Sequence, residues 1–219
     1  ENWKATAKNW IRAVASFAGT FDGAGHTISG VYINQPEMLG VGLFGVVKNT
    51  NDEGKTASVA PEFIVAKKTY LIKNLRVTGA DINGYQNVGG IVGSLNGGSS
   101  VVGCTVSKNS IIEGGSITDN GINVGGVVGY INGTTGGKVV DCSCAGTIKA
   151  HYYDVGGIVG RDQGVKIANC TFTGVVSTDY DDSAAEGDLF SRLGGICGHI
   201  HGSAFVENCK VSGTIGQNT

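Results

Sequence analysis

Two short patterns of apolar and polar residues alternate along the chain. The first, called here the glycine motif, is an apolar residue, two glycines, two apolar residues and a third glycine. Its full copies, 31 to 38 residues apart, begin at Val88, Val124, Val155 and Leu193, and a divergent copy occupies 42–45. The second, called here the strand motif, has copies that begin at Ile72, Val102, Val140, Ile167 and Val206. Because the two motifs recur together, the sequence predicts a protein of stacked repeats.

The strand motif alternates apolar and polar residues, which is the period of a strand with one buried face. We assign Val140, Cys142 and Cys144 to the buried face, and the copy at 167–172 follows the same assignment if a one-residue irregularity lies at Asn169. In the glycine motif two neighbouring residues are apolar, so alternation does not decide which of them faces inward. Its glycines suit tight corners or close approach of two backbones.

A repeat of this length with two or more short strands cannot bury its own apolar face. Stacking the repeats about 4.8 Å apart makes each strand the partner of its equivalent in the next repeat. The sequence therefore predicts an all-β, right-handed, single-stranded parallel β-helix, a solenoid with variable loops on one edge. We expect one domain over 1–219, in which 1–46 form the N-terminal coil with the first divergent repeat and 72–219 form the regular repeats. A β-propeller also repeats at about 40 residues, but it needs four strands per blade, and the 31-residue copy leaves little room for them.

Composition supports short strands and tight turns, since 38 of the 219 residues are glycine and only 2 are proline. The formal charge of −2 comes without a basic stripe, which argues against a nucleic-acid partner. No apolar segment approaches the roughly 20 residues that span a bilayer, so we expect no membrane insertion within this segment.

The glycine motif, the core Gly42-Leu43-Phe44-Gly45 and the preceding segment 17–30 resemble the GLUG-motif repeats. Those repeats are found in bacterial cell-surface and adhesin-like proteins and beside immunoglobulin-A-cleaving metalloendopeptidases. The resemblance covers nearly the whole chain and implies a β-helix in an extracellular or bacterial cell-surface protein. It implies little about activity, because the family is named for a repeat and not for a reaction.

The six cysteines fit the buried face better than a metal site or a disulfide framework. Four of them share one position of the strand motif, where the first copy has Leu75: Cys104, Cys142, Cys170 and Cys209. Residues that alternate with leucine, valine and phenylalanine act as small apolar fillers. Since no pair has the spacing of a zinc ribbon, we predict free thiols in the core, with no metal and no cofactor.

Few residues indicate catalysis. His199 and His201 share one face of a predicted strand, but no third metal ligand and no His-Glu-x-x-His motif accompany them. Polysaccharide-acting β-helix enzymes use paired carboxylates, whereas the acidic residues here concentrate in the insertion at 179–188. A loop positions carboxylates less accurately than strands do. We interpret 179–188 as a solvated loop, with a calcium or ligand contact as the alternative, and expect no enzyme activity.

Repeat proteins bind their partners on the edge that tolerates insertions. The distance from a strand motif to the next glycine motif varies most, which predicts loops at 80–87, 107–123, 149–154 and 177–192, with 47–70 as a further candidate. Tyrosine offers a flat face to a sugar ring and a hydroxyl for hydrogen bonding. The predicted ligand-binding residues are Tyr85, Tyr152, Tyr153, Asp154, Asp179, Tyr180 and Asp181. The alternative is that these tyrosines only cover the edge.

These patterns predict a non-catalytic segment of a secreted or surface protein, which acts in adhesion or as a spacer and binds a host or cell-surface glycan or protein. One alternative is a polysaccharide-acting β-helix enzyme, a lyase or glycoside hydrolase, in which carboxylates and a basic residue converge on one strand face. The other is a non-catalytic part of a larger surface protease.

Overall fold

The computed structural model describes residues 14–47, 70–96, 98–115, 122–133, 136–151, 153–179 and 191–217. In these segments all regular structure is β-strand, and every strand pairing is parallel. Equivalent strands of successive coils lie side by side in register, as Val101 does between Ile72 and Val139. The predicted parallel β-helix is confirmed.

Six successive coils contribute strands to the same four faces of the solenoid. The first coil contains β1 (Val14–Phe17), β2 (Thr20–Asp22), β3 (Thr27–Ser29) and β4 (Tyr32–Val41). The second contains β5 (Phe44–Val47), β6 (Leu71–Lys73), β7 (Arg76–Thr78) and β8 (Asp81–Gly89). The third contains β9 (Val92–Asn96), β10 (Ser100–Val102), β11 (Thr105–Val106), β12 (Ile111–Gly114) and β13 (Asn123–Gly125).

The later coils repeat this order. The fourth contains β14 (Val128–Asn132), β15 (Lys138–Val140), β16 (Ser143–Cys144), β17 (Thr147–Ala150) and β18 (Asp154–Gly156). The fifth contains β19 (Val159–Asp162), β20 (Lys166–Ala168), β21 (Thr171–Phe172), β22 (Val175–Thr178) and β23 (Arg192–Gly194). The sixth contains β24 (Cys197–Ile200), β25 (Phe205–Glu207), β26 (Lys210–Val211) and β27 (Thr214–Gln217).

The first three faces are sheets of six strands, and the fourth is a sheet of nine. The stacking of equivalent strands excludes the propeller. Excluding the propeller by repeat length was wrong. The shortest repeat has room for the four strands of a propeller blade, since the fourth coil contains five strands. None of the described residues forms a helix long and apolar enough to cross a membrane.

The corner between the second and third faces is turned by one residue with positive φ in each of the later coils. These residues are Asn74, Gly103, Asp141, Asn169 and Asn208. Asparagine, aspartate and glycine are the residues that adopt this conformation at least cost. The predicted irregularity at Asn169 is therefore confirmed, and the corner moves the alternation by one residue.

One inward assignment of the sequence analysis is wrong for this reason. Val139 is fully buried while Val140 is only half-buried, because the corner at Asp141 interrupts the alternation between Val140 and Cys142. Cys142 and Cys144 face inward as predicted.

The cysteines line the interior of the solenoid. All six are free thiols, of which Cys104, Cys142, Cys144 and Cys170 are buried and Cys197 and Cys209 are half-buried. Along the column of Cys104, Cys142, Cys170 and Cys209, the backbone N–H of the residue after a cysteine donates to the carbonyl of the cysteine one coil earlier, as Ser143 does to Cys104 at 2.9 Å. The predicted core column is confirmed. Burial raises the pKa of Cys144 to about 12, and a protonated, buried thiol is a poor nucleophile.

The three glycines of each glycine motif all lie where an added Cβ would be closer than 3.0 Å to another atom, in most cases a backbone atom. A Cβ atom on the first glycine, for example Gly156, would come within 3.0 Å of a carbonyl oxygen of its own motif. On the second, Gly157, it would meet the backbone oxygen of Gly195 in the next coil. On the third, Gly198, it would meet the backbone of 154–155, where the preceding copy of the glycine motif begins. Because of these contacts, the residues that flank each glycine motif lie close to the neighbouring coils.

The fourth face splits in the later coils, and this split fixes where the loops lie. In the second coil β8 crosses the whole face alongside β4, whereas β12 and β13, β17 and β18, and β22 and β23 are pairs of strands with a connection between them. The connections are 115–122, 151–153 and 179–191.

The predicted loop at 80–87 is wrong, because Asp81–Gly89 is one continuous strand paired with β4. The other predicted loops are too long, since 107–123 includes β12 and both 149–154 and 177–192 include strand residues at their ends. Of the candidate insertion 47–70, only Val47 and Tyr70 belong to the described residues.

Candidate functional site

The carboxylate of Asp154 is the centre of a charged cluster at the corner between the fourth and first faces. Asp154 begins β18, and only 1% of its surface is exposed. Its Oδ1 accepts a hydrogen bond from Nε of Arg192. Its Oδ2 lies 3.3 Å from Nδ1 of His199 and 3.8 Å from Nη1 of Arg161. We call these four residues the Asp154 cluster.

The glycine motif builds this cluster from the two positions that flank it. The residue before the motif forms one column along the solenoid, in which Asn123, Asp154 and Arg192 are in register. The residue after it forms a second column, in which Tyr130, Arg161 and His199 are in register. Because the third glycine packs against the backbone of the first column one coil earlier, Gly198 brings His199 next to Asp154. The cluster thus spans successive coils.

Positive charge exceeds negative charge in the Asp154 cluster. Two guanidinium groups, which stay protonated in proteins, face one carboxylate. The side chains of Arg161, Arg192 and His199 are between 23% and 30% exposed. Nε of Arg161 and Oγ of Ser191 are buried and have no hydrogen-bond partner among the described residues. The cluster therefore combines a buried carboxylate with basic side chains that are partly exposed.

A second polar group lies on the fourth face. Nδ1 of His151 is 2.6 Å from Oδ1 of Asp179, whose side chain is 54% exposed. Both residues line a cavity of about 80 Å³. Its walls also contain Glu113, Lys149, Ala150 and Ser177. Glu113, Lys149 and Ser177 stand in register on β12, β17 and β22, so three successive coils form the cavity.

Serine, histidine and aspartate share this cavity, but they do not form a nucleophilic triad. Oγ of Ser177 is buried and has no hydrogen-bond partner within the part of the chain described, so it does not donate to His151. An activated serine needs a base within hydrogen-bond reach. The His151–Asp179 pair instead joins two strand ends, since Oγ1 of Thr178 also donates to the carbonyl of His151 at 2.6 Å.

The structure places four of the seven predicted ligand-binding residues. Asp154 belongs to the Asp154 cluster, and Asp179 lines the cavity on the fourth face. Tyr85 lies half-buried within β8 rather than in a loop. Tyr153 has a φ of 75°, packs against the core, and accepts a 2.8 Å hydrogen bond from the backbone N–H of Arg192. Tyr152, Tyr180 and Asp181 lie outside the described residues.

Sequence reasoning missed Arg161 and Arg192. The signal was present, because both flank copies of the glycine motif at the positions occupied by Asp154 and His199 in neighbouring copies. The two histidines are close, with ring centroids of His199 and His201 6.1 Å apart, but His201 lies one residue beyond the end of β24 and not on the strand.

No group of three or more potential metal ligands comes together in the described ranges. The alternative calcium contact at 179–188 falls almost wholly outside those ranges and stays a prediction. A larger cavity of about 230 Å³ lies at the corner between the second and third faces, where Arg76 is the one charged side chain in its wall.

Comparisons with known proteins give limited information. No family model matches the chain, and no curated protein matches it. Among solved structures, the chain is similar to one described as "a putative immunoglobulin A1 protease from Bacteroides ovatus". The identity is 16%, the alignment covers 91% of this chain and 68% of that chain, and the TM-score is 0.46. The GLUG resemblance therefore stays a prediction.

Proposed function

We propose that this chain is a non-catalytic segment of an extracellular or bacterial surface repeat protein, of the GLUG type, which acts in adhesion or as a spacer. Its ligand would be a host or cell-surface glycan or protein. The observation that supports this proposal is the Asp154 cluster, whose residues lie on β18, β19, β23 and β24 at the corner between the fourth and first faces. The parent protein of such a segment would be an adhesin or a larger surface protease.

The chemistry of the cluster favours binding over catalysis. The carboxylate of Asp154 is buried and engaged by Arg192, His199 and Arg161. A general acid, base or nucleophile must reach the substrate atoms. The charged groups that do reach the exterior are guanidinium and imidazole donors, which suit recognition.

An array of glycans and extracellular proteins tests this function. Wild type should bind at least one component, and a Tyr152→Ala/Tyr180→Ala variant should bind it more weakly, because both residues are among the ligand-binding tyrosines that the sequence predicts. Tyr32→Ala, in the first coil on the same face, is the matched control and should bind like wild type. Absence of any binding by wild type, or equal binding by the edge variant, would reject the proposed role.

A second candidate is a polysaccharide-acting enzyme, and the cavity on the fourth face favours it. Two carboxylates, Glu113 and Asp179, line it together with Lys149 and His151. Glu113 and Lys149 lie on neighbouring strands, and His151 and Asp179 directly follow the ends of β17 and β22. Such a convergence is what acid–base chemistry on an acidic polysaccharide requires. The cavity of about 80 Å³ is small beside typical ligand sites of roughly 300–1,000 Å³, so this candidate ranks second.

Turnover assays separate this candidate from the first. Wild type is incubated with polygalacturonate, alginate and hyaluronan, and both new reducing ends and ultraviolet absorbance of unsaturated products are followed. An enzyme would lose turnover in Glu113→Gln and His151→Asn and keep it in Glu37→Gln, which changes an exposed glutamate in the first coil. If wild type produces neither signal, the enzymatic candidate is rejected.

A further inference from the structure

We infer that the Asp154 cluster is an anion-binding site, whose ligand is an acidic glycan that offers a carboxylate or sulfate group to Arg161 and Arg192. This inference rests on the proposed function and names the ligand class for it. The site lies at the corner between the fourth and first faces. The copies of the glycine motif that join β18 to β19 and β23 to β24 lie there.

The first step of the argument is the distribution of charge. Asp154 engages Arg192 through Oδ1 and His199 through Oδ2. Arg161 lies 3.8 Å from Oδ2, which is at the limit of an ion pair and beyond hydrogen-bond distance. Among the described residues, Arg161 is therefore the guanidinium group that this carboxylate leaves without a hydrogen bond, and an anion would pair with it.

The second step is the state of the donors. Buried N–H and O–H groups in proteins nearly always have an acceptor. Nε of Arg161 and Oγ of Ser191 are buried without one in the described segments. The Arg161 side chain as a whole is 29% exposed. Its planar guanidinium fork matches the paired oxygens of carboxylate and sulfate groups.

The third step is the aromatic neighbour. Tyr130 stands in register beside Arg161, one coil earlier in the same column, and its side chain is half-buried. Consecutive strands of a sheet lie about 4.8 Å apart, so a phenol and a guanidinium occupy adjacent positions on the exterior. A phenol ring packs against a sugar ring, while the guanidinium binds the acidic substituent. This pairing favours an acidic sugar over an inorganic anion.

Calorimetric titration with defined ligands tests the site. The ligands are an oligogalacturonate as the carboxylated glycan, a heparin oligosaccharide as the sulfated one, a neutral cello-oligosaccharide, and inorganic sulfate. At least one acidic glycan should bind wild type, and the neutral glycan and inorganic sulfate should bind far more weakly. Arg161→Gln should weaken binding by about tenfold or more, because it removes charge-assisted hydrogen bonds.

Two variants control for charge and folding. Lys138→Gln removes one positive charge from the exposed second face and should change affinity by less than about twofold. Arg161→Lys keeps the charge but loses the planar fork, so its affinity should lie between those of wild type and Arg161→Gln. Thermal unfolding identifies any variant that fails to fold. If Arg161→Gln is such a variant, Arg161→Lys is compared with wild type in its place.

The outcomes distinguish this inference from the proposed function. Equal loss of affinity in Arg161→Gln and Lys138→Gln would show a general charge effect and overturn the site. Equal binding of neutral and acidic glycans would overturn the anion requirement and leave a glycan-binding segment. If no glycan binds, the acidic-glycan site is rejected. Binding to the extracellular proteins of the array then decides whether the proposed function stands.

Discussion

Asp22 ends β2 at the corner where the first coil turns towards its third face. Its Oδ1 accepts hydrogen bonds from the backbone N–H of Ala24 at 2.9 Å and from Nδ2 of Asn74 at 3.0 Å, and its Oδ2 lies 3.0 Å from Nζ of Lys73. The Ala24 amide first, and then Lys73 and Asn74, lower the pKa of Asp22 from 3.8 to about 2. The ionised side chain thus joins the first two coils at this corner.

A lowered pKa in the folded state gives stability that is present above the unfolded value and is lost as the pH falls. We predict that Asp22→Asn unfolds at a lower temperature than wild type at pH 7. The difference should shrink between pH 3.8 and about 2, where wild-type Asp22 takes up its proton. Melting followed by circular dichroism across this range checks it. Asp81→Asn, at an exposed position of β8, is the control; a difference for Asp22→Asn that persists unchanged at pH 2 would contradict the prediction.

The same scale shows what the sequence could and could not predict about the site. The ligand-binding role predicted for Asp154 stays a prediction. Its predicted place in a loop is wrong, because Asp154 begins β18, whose boundary depends on pairing with β13 and β23. Arg192 lies beside Asp154 because the two are register partners on β23 and β18. His199 lies beside it because Gly198 packs against the backbone of 154–155. Alternation of apolar and polar residues reveals neither contact.

The glycine motif is the element on which both the stacking and the Asp154 cluster depend. Gly157 lies at the turn between β18 and β19, where an added Cβ would come within 3.0 Å of both the Gly195 oxygen and the Phe172 ring. Gly157→Ala should therefore destabilise the protein by about 1–3 kcal/mol, as overpacking of a core does. Gly216, on the last strand β27, has open space around the same atom.

Gly216→Ala is consequently the matched control and should change stability by less than about 0.5 kcal/mol. Urea unfolding of the two variants measures the difference in the free energy of unfolding. Similar destabilisation by both substitutions would mean that the cost comes from glycine replacement in general, and not from the close contact between coils.

At the scale of strands, the sequence predicted the buried columns well and the corners poorly. The columns follow from two-residue periodicity, so Cys142, Cys144 and Phe172 were placed correctly. The corner at Asp141 depends on a positive φ, and the split of the fourth face depends on how far β8 extends beside β4. Neither feature changes the pattern of apolar residues, which is why 80–87 was taken for a loop.

Across the whole molecule, stability depends on contacts between neighbouring coils, as in other repeat proteins. The sixth coil packs against the fifth through columns of apolar residues whose members in the fourth and fifth coils are fully buried. Val211 is 45% exposed where Phe172 one coil earlier is completely buried, and Ile215 is 43% exposed where Val176 is buried. Less apolar surface is therefore removed from water in the sixth coil than in the fourth and fifth.

Local opening needs the least free energy where the fewest apolar contacts are lost. We predict that the amides of β24 to β27, over 197–217, exchange with deuterium before those of β14 to β22, over 128–178. Hydrogen exchange followed by mass spectrometry of peptides measures this order, and the fourth coil, which has described neighbours on both sides, is the internal reference. An acidic glycan bound at the Asp154 cluster should slow exchange in β24, because His199 belongs to the cluster. Uniform exchange of all coils, at the rate of global unfolding, would show that the solenoid opens as one unit and would contradict the prediction.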